Sequence, residues 1–232
     1  MTRSTAFSGF AALFLLSSPA MAQAPAATGI WPLFVQSFDF FTVILLLGSV
    51  AAGAYIFRCV IEVRPGAILP ADRLKAASDM IKQGRFGELK GYVERDRSFV
   101  SRVLAAAFGQ GGTRESMREA AELAASEQIA HWFRKIEPLN IIGNLGPLVG
   151  LAGTVWGMIL AFTTLGQAGG QAGPSDLSLG ISKALFHTLL GLCLAIPCLL
   201  VFGFYRSIVD RHCTRAMVLA AEMVEKLPPE QP

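Results

Sequence analysis

The chain has 232 residues, of which 53% are hydrophobic and 16% are charged, and its mean hydropathy is +0.49. This composition is typical of a membrane protein. The 20 basic residues are interleaved with 17 acidic ones, which argues against a nucleic-acid-binding surface, and the four cysteines lack the spacing of a disulfide framework.

The first 22 residues are predicted to be a secretory signal peptide. They begin with the positive charge of Arg3 and continue with an apolar run, Ala6 to Leu16, which is too short to cross a bilayer. The small-x-small pattern Ala20-Met21-Ala22 predicts cleavage before Gln23. An uncleaved membrane anchor is the alternative. The segment 23–38 that follows contains no Lys or Arg.

The first membrane-spanning helix is predicted over residues 39–60. Its centre, Phe40 to Phe57, contains no charged residue and approaches the ~20 residues that a helix needs to cross the hydrocarbon core. Asp39 precedes this centre and is interpreted only as a favourable charge at a helix N-terminus.

Residues 61–137 are polar and charged and are predicted to form a helical insert. Asp72 is expected to cap a helix that runs to about Gln83. A later helix is expected to stop at the glycines that begin with Gly109. Thr113 then caps a long helix that we expect to continue into the second span.

The second span is predicted over residues 138–166, which include an uncharged run from Leu139 to Gly166. Its glycines recur at intervals of three and four, so they share one helix face, where they let another helix approach closely. Thr154 lies at the edge of this face and can line a narrow polar path. Pro147 is expected to kink the helix. The predicted packing glycines are Gly143, Gly146, Gly150, Gly153 and Gly157.

A glycine-rich turn, residues 167–179, leads to the third span, which is predicted over residues 180–205. A second stripe of small residues lies on this helix, and Thr188 belongs to it. Pro197 is expected to kink the helix. The predicted packing residues on this stripe include Gly191 and Ala195.

The distribution of positive charge predicts the orientation in the membrane. The insert contains 13 of the Lys and Arg residues and the tail, residues 206–232, contains four, whereas the turn and the segment 23–38 contain none. The predicted fold is therefore an all-α membrane protein with three transmembrane helices. Long helices extend into a cytoplasmic helical insert, the tail is cytoplasmic, and the N-terminus and the turn lie outside.

The sequence contains no pattern that predicts a catalytic residue, a metal site or a cofactor. The glycine-rich turn lacks the Lys and the preceding strand of a phosphate-binding loop. Apart from Asp39 at the edge of the first span, the spans contain no Asp or Glu, although an ion path across a membrane usually needs an ionisable carrier. If the chain conducts ions, a partner is therefore expected to supply the carboxylate.

Three further polar residues of the spans are candidates for the pathway or for an interface, namely Lys183, His187 and Asn144. Lys183 either extends its ammonium group to the lipid headgroups or pairs with an acidic residue of a neighbour. His187 can titrate near neutral pH, although a hydrogen bond to another helix is the simpler interpretation.

Two motifs resemble the MotA/TolQ/ExbB proton channel family, and most closely its ExbB and TolQ branch. They are GPLVGLAGTVWGMILAF and GISKALFHTLLGLCLAIP. The resemblance implies a pentamer around a dimer of an ExbD- or TolR-like single-span partner, whose Asp lies near two threonines of the ring. Those threonines match Thr154 and Thr188.

The resemblance also implies a multi-pass protein of the bacterial inner membrane, in contact with lipid. There the proton motive force would energise work at the outer membrane through a TonB- or TolA-like protein. The family typically has a glutamate where this chain has Lys183. Two alternatives are a non-conducting scaffold of the same fold, which the reversed charge allows, and a MotA-like flagellar stator subunit, which typically has a fourth span. An enzyme is the least supported class.

Overall fold

The computed structural model describes residues 30–167 and 174–229, and these residues form eight helices and no strand. The all-α prediction is therefore confirmed for this part of the chain. The predicted signal peptide lies outside the described residues. The helices are α1 (Ile30–Gln36), α2 (Phe40–Glu62), α3 (Pro65–Ile68), α4 (Ala71–Lys82), α5 (Phe86–Arg95), α6 (Phe99–Gln110), α7 (Arg114–Gln167) and α8 (Pro174–Val224).

Helices α2, α7 and α8 each have the length and the apolar composition that crossing a membrane requires. Helix α7 has 54 residues and α8 has 51, so each extends for roughly 80 Å at 1.5 Å per residue. Since a hydrocarbon core is only ~30 Å thick, both helices are much longer than one membrane crossing. Their apolar segments leave many large side chains exposed on the isolated chain, for example Leu151, Phe162 and Leu200.

Helices α3 to α6 pack against the charged parts of α7 and α8 around one apolar core. Leu89 of α5, Leu104 of α6, Ile136 of α7 and Val209 of α8 are fully buried there. The alternation of polar and apolar positions in these helices explains this core, because each helix turns one apolar face inward.

One local prediction in this region is wrong. Asp72 does not cap α4, because α4 begins at Ala71 and Pro70 occupies the capping position, so Asp72 lies in the first turn. The predicted stop of α6 at its glycines is confirmed, since the helix continues past Gly109 to Gln110 and ends at Gly111. The φ of 59° at Gly111 explains the stop there, because glycine adopts a positive φ at little cost. Thr113 does cap α7, since its hydroxyl accepts a hydrogen bond from the Ser116 amide at 3.3 Å.

Helices α7 and α8 form an antiparallel hairpin along their glycine stripes. A methyl group added at Gly150 would lie 2.7 Å from the carbonyl oxygen of His187. One added at Gly191 would lie 2.6 Å from the carbonyl oxygen of Gly146. The two backbones therefore approach so closely that a side chain at either position does not fit. The helices continue through the prolines at 138, 147 and 197.

Candidate functional site

Thr154 and Thr188 meet between α7 and α8, where their hydroxyl groups are hydrogen-bonded to each other. The hydroxyl of Thr154 also lies 3.0 Å from the carbonyl oxygen of Gly150 and 3.1 Å from that of Ala184. Both threonine side chains are half-buried. The two residues that the sequence singled out for a polar path are therefore brought into direct contact.

The glycine stripe is what allows this contact. Gly150 lies one turn before Thr154, and because it has no side chain, α8 can come close to α7 at this point. The Thr188 hydroxyl therefore lies 3.5 Å from the backbone carbonyl oxygen of Gly150, which the Thr154 hydroxyl also contacts. Each hydroxyl has one hydrogen to donate and two lone pairs to accept with. The pair can therefore accept a hydrogen bond from a protonated carboxyl group, and it can donate to an ionised one when a hydroxyl turns its hydrogen away from a backbone carbonyl.

A second polar cluster joins the start of α2 to α8. The carboxylate of Asp39 accepts a hydrogen bond from the Thr42 amide at 3.0 Å, so Asp39 caps α2. Nε2 of His187 lies 2.9 Å from Oδ1 of Asp39 and 3.2 Å from the hydroxyl of Thr42. His187 is 2% exposed and Thr42 is 0% exposed. The predicted position of Asp39 at a helix N-terminus is confirmed, and neither its capping hydrogen bond nor its contact with His187 was predicted.

A cavity of about 330 Å³ adjoins this cluster at the end of the hairpin where α7 ends and α8 begins. Asp39, Lys183 and His187 line it, together with Ser37 and Thr164. Lys183 is half-buried. Two environments were predicted for Lys183, namely the lipid headgroups and an acidic residue of a neighbouring protein. The structure adds a third group, because the carboxylate of Asp39 in the same chain lines the same cavity.

Asn144 lies apart from both clusters. Its side-chain amide donates to the backbone carbonyl and to the side-chain oxygen of Asn140, each at 2.8 Å, and its side chain is exposed. Among the packing residues, Ala195 is buried and Gly157 faces Ala184. The structure therefore brings Thr154 together with Thr188 and Lys183 together with His187, and leaves Asn144 on the outer surface of the hairpin.

No sequence pattern connected Asp39 with His187. The two residues are 148 positions apart, and each has an ordinary local explanation, as a helix cap and as a histidine in a helix. The sequence did place both residues near the outer ends of their predicted spans. That shared depth allows a contact between them, but several other residues lie at the same depth, and the sequence does not say which of them meet.

Comparisons with known proteins identify the family. The family model of the MotA/TolQ/ExbB proton channel family matches residues 94–217, which is more than half of the chain. Biopolymer transport protein exbB1 of Vibrio cholerae serotype O1 is 29% identical over 168 residues, which are 72% of this chain and 70% of that protein.

Two further relatives match over shorter stretches. The putative biopolymer transport protein ExbB-like 1 of Synechocystis is 40% identical over 111 residues, or 47% of this chain and 44% of that protein. The Tol-Pal system protein TolQ of Haemophilus influenzae is 35% identical over 84 residues, or 36% of each chain. The alignment therefore spans less than half the length of each of these two relatives.

Among solved structures, C. jejuni MotAB has the same fold, with a TM-score of 0.52, 16% identity and coverage of 82% of this chain and 78% of that one. The matched family segment contains both Thr154 and Thr188. Proteins of this family are channels or energise transport, and are not enzymes. This chain belongs to the MotA/TolQ/ExbB proton channel family, within its ExbB and TolQ branch.

Proposed function

We propose that the chain is a ring subunit of an ExbB/TolQ-like proton channel complex in the bacterial inner membrane. The complex uses the proton motive force to energise transport or envelope work at the outer membrane. The observation that carries this proposal is the hydroxyl pair of Thr154 and Thr188, which lies between two long apolar helices inside the segment that matches the family.

The chemistry of the pair requires a partner. A threonine hydroxyl is neither acidic nor basic at neutral pH, so it orients a proton carrier but does not carry the charge itself. An Asp on a single-span ExbD- or TolR-like partner would supply the carrier. When this Asp is ionised it would accept a hydrogen bond from a threonine hydroxyl, and when it is protonated it would donate one. The pair thus accommodates both states of the carrier.

The energy available to such a cycle is set by the membrane potential. One proton that crosses the field releases about 2.3 kcal/mol per 100 mV. Several protons per cycle are therefore sufficient to drive a conformational step in the partner, and a TonB- or TolA-like protein would transmit that step to the outer membrane.

The proposed arrangement in the membrane has the N-terminus and the turn between α7 and α8 outside, and the insert and tail in the cytoplasm. The excess of Lys and Arg in the insert and tail supports this orientation. The exposed apolar side chains of α7 and α8 would contact lipid and neighbouring copies in a homo-oligomer, which is a pentamer by resemblance to the family.

Gentle purification from native membranes followed by native mass spectrometry tests the assembly. We expect about five copies of this chain with two copies of a small single-span protein that has an intramembrane Asp, as the family resemblance implies. A homo-oligomer without such a partner in several mild detergents would contradict the proposal. That result would favour a non-conducting scaffold of the same fold, the alternative that the positive charge of Lys183 allows.

A further inference from the structure

The cavity of about 330 Å³ has two opposite charges in its wall that the pair of threonines does not use. Lys183 on α8 contributes an ammonium group, and Asp39, just before α2, contributes a carboxylate. The two groups are not paired with each other, since the ion pair of Asp39 is with His187. Nζ of Lys183 has no hydrogen bond or ion pair with any residue that the structure describes. A half-buried ammonium group without a partner is costly, so the cavity favours a ligand that supplies an anion.

The carboxylate of Asp39 has one oxygen available for the same ligand. The Thr42 amide, the Thr42 hydroxyl and Nε2 of His187 all contact Oδ1. None of the described residues forms a hydrogen bond with Oδ2, and the side chain of Asp39 is 36% exposed. An ionised carboxylate only accepts hydrogen bonds. The cavity therefore offers a cationic donor on one side and an anionic acceptor on the other.

These charges lie at the boundary of the apolar part of the chain. Asp39 directly precedes the uncharged run from Phe40 to Phe57, and Lys183 directly precedes a run from Ala184 to Tyr205 without Asp, Glu, Lys or Arg. The rest of the cavity wall is largely apolar, and two of its side chains are 49% and 43% exposed on the isolated chain, so the cavity reaches the outer surface. They are Leu160 and Leu179. This arrangement fits an amphiphile, with its charged head at the boundary and its apolar tail along the helices.

We propose that the cavity binds the zwitterionic headgroup of an aminophospholipid such as phosphatidylethanolamine. A phosphate oxygen accepts a hydrogen bond from Nζ of Lys183, the headgroup ammonium donates to Oδ2 of Asp39, and the acyl chains lie against the apolar wall. The volume is within the range of about 300–1,000 Å³ that is usual for small-molecule sites. The outer leaflet as the source of the lipid rests on the orientation in the proposed function, but the binding itself does not.

Asp39 gives the site its specificity. A phospholipid with a phosphate and no amine satisfies Lys183, but it brings a negative charge close to the carboxylate of Asp39 without a cation to compensate. Discrimination between ligands often comes from such an unfavourable contact with the wrong one. A lipid with both groups satisfies both walls of the cavity, and charge-assisted hydrogen bonds of this kind are about twice as strong as neutral ones.

The experiment is native mass spectrometry of the intact complex, which is first stripped of its lipids in detergent. It is then titrated separately with phosphatidylethanolamine and with phosphatidylglycerol, which has the phosphate without the amine, both with the same acyl chains. We expect phosphatidylethanolamine to bind roughly tenfold more tightly, which corresponds to about one charge-assisted hydrogen bond.

Two substitutions in the cavity should have different effects. Lys183→Gln removes the donor to the phosphate and should weaken both lipids roughly tenfold. Asp39→Asn removes the charge that attracts the amine, so it should weaken phosphatidylethanolamine alone and abolish the preference. Arg206→Gln is the control, because Arg206 is an exposed cation at the opposite end of the same apolar run of α8. It should leave the preference unchanged.

Three results would overturn this site. They are equal affinity for the two lipids, an equal loss of affinity in Arg206→Gln and Lys183→Gln, and a structure of the assembled complex in which an acidic residue of a neighbouring chain pairs with Nζ of Lys183. If Asp39→Asn does not assemble, Lys183→Glu still decides the question, because a second carboxylate in the cavity should weaken both lipids more than Lys183→Gln does. Thr154→Ala separates this inference from the proposed function, since it should abolish proton flux and leave the lipid preference unchanged.

Discussion

Thr154 on α7 and Thr188 on α8 are 34 positions apart in the chain, and their hydroxyls are hydrogen-bonded to each other. The Thr154 hydroxyl also lies within hydrogen-bond distance of two backbone carbonyl oxygens, that of Gly150 on α7 and that of Ala184 on α8. The two hydroxyls and the two carbonyls form one polar site in an otherwise apolar contact.

Loss of either hydroxyl should stop proton-driven work without loss of assembly. We expect Thr154→Ala and Thr188→Ala each to abolish proton flux in proteoliposomes that contain the complex, because the carrier then lacks one of its two hydrogen-bonding groups. Thr154→Ser retains the hydroxyl and should retain flux. The double alanine variant should be no worse than either single variant, since the two residues act as a unit.

The matched control is Thr163→Ala, because Thr163 lies on the same helix, is exposed, and donates only to the carbonyl of Ile159, at 2.7 Å. Its flux should equal that of the unmodified chain. Full flux in both Thr154→Ala and Thr188→Ala would refute the assignment of the threonines.

A methyl group at the closest contacts of the hairpin should destabilise it. In Gly150→Ala and Gly191→Ala the new methyl group would meet a backbone carbonyl at 2.7 Å and 2.6 Å, so the helices must separate. Overpacking of this kind typically costs about 1–3 kcal/mol. Thermal unfolding in detergent, with native mass spectrometry of the oligomer, measures the loss.

Gly203→Ala is the control for these variants, because Gly203 lies on α8 and an added methyl group meets nothing within 4 Å. Since alanine favours the helix over glycine by up to about 1 kcal/mol, this change should be neutral or stabilising. Equal stability of all three variants would mean that α7 and α8 are not this close in the protein.

The insert should lose stability in acid through Asp96. Its carboxylate accepts hydrogen bonds from the hydroxyls of Ser98 at 2.6 Å and Ser101 at 2.7 Å, and it pairs with Arg73. Burial raises the pKa of Asp96, but these hydrogen bonds and the charge of Arg73 lower it by more, so the pKa lies below its usual value. The contribution to stability is therefore complete above the unfolded-state pKa and disappears as the pH falls through the folded-state pKa.

Asp96→Asn should accordingly cost about 1–3 kcal/mol of unfolding free energy at neutral pH, because the hydrogen bonds lose a charged acceptor. The difference from the unmodified chain should vanish in acid, as measured by urea unfolding at several pH values. Glu88→Gln is the control, since Glu88 is an exposed partner of Arg85 and exposed pairs contribute little. A difference for Asp96→Asn that is constant with pH would contradict the role of its charge.

The orientation can be tested with reporter fusions. Because Lys and Arg are concentrated in the insert and tail, a reporter that is active only in the cytoplasm should function when it is fused after the tail. A reporter that is active only outside should function when it is inserted in the turn between α7 and α8. The opposite pattern at both sites would reverse the predicted topology.

Several features of the chain follow from its sequence because they are local. The three apolar helices, the glycine stripe and the cap at Thr113 each depend on residues within a few turns of one helix. Helical periodicity places such residues on one face wherever the helix lies. The candidate threonines were also predictable, since both motifs that contain them resemble those of a known family.

The pairing of helices was decided only by the tertiary structure. Asp39 and His187 are 148 positions apart, and their contact depends on how α2 rotates and slides against α8, which no local pattern specifies. The surroundings of Lys183 are likewise known only from the folded structure, because the carboxylate of Asp39, which lines the same cavity, is far away in the sequence. Propensity and periodicity act over a few residues, whereas the choice of contact between helices is made by the packing of whole surfaces, and that packing exists only when the chain is folded.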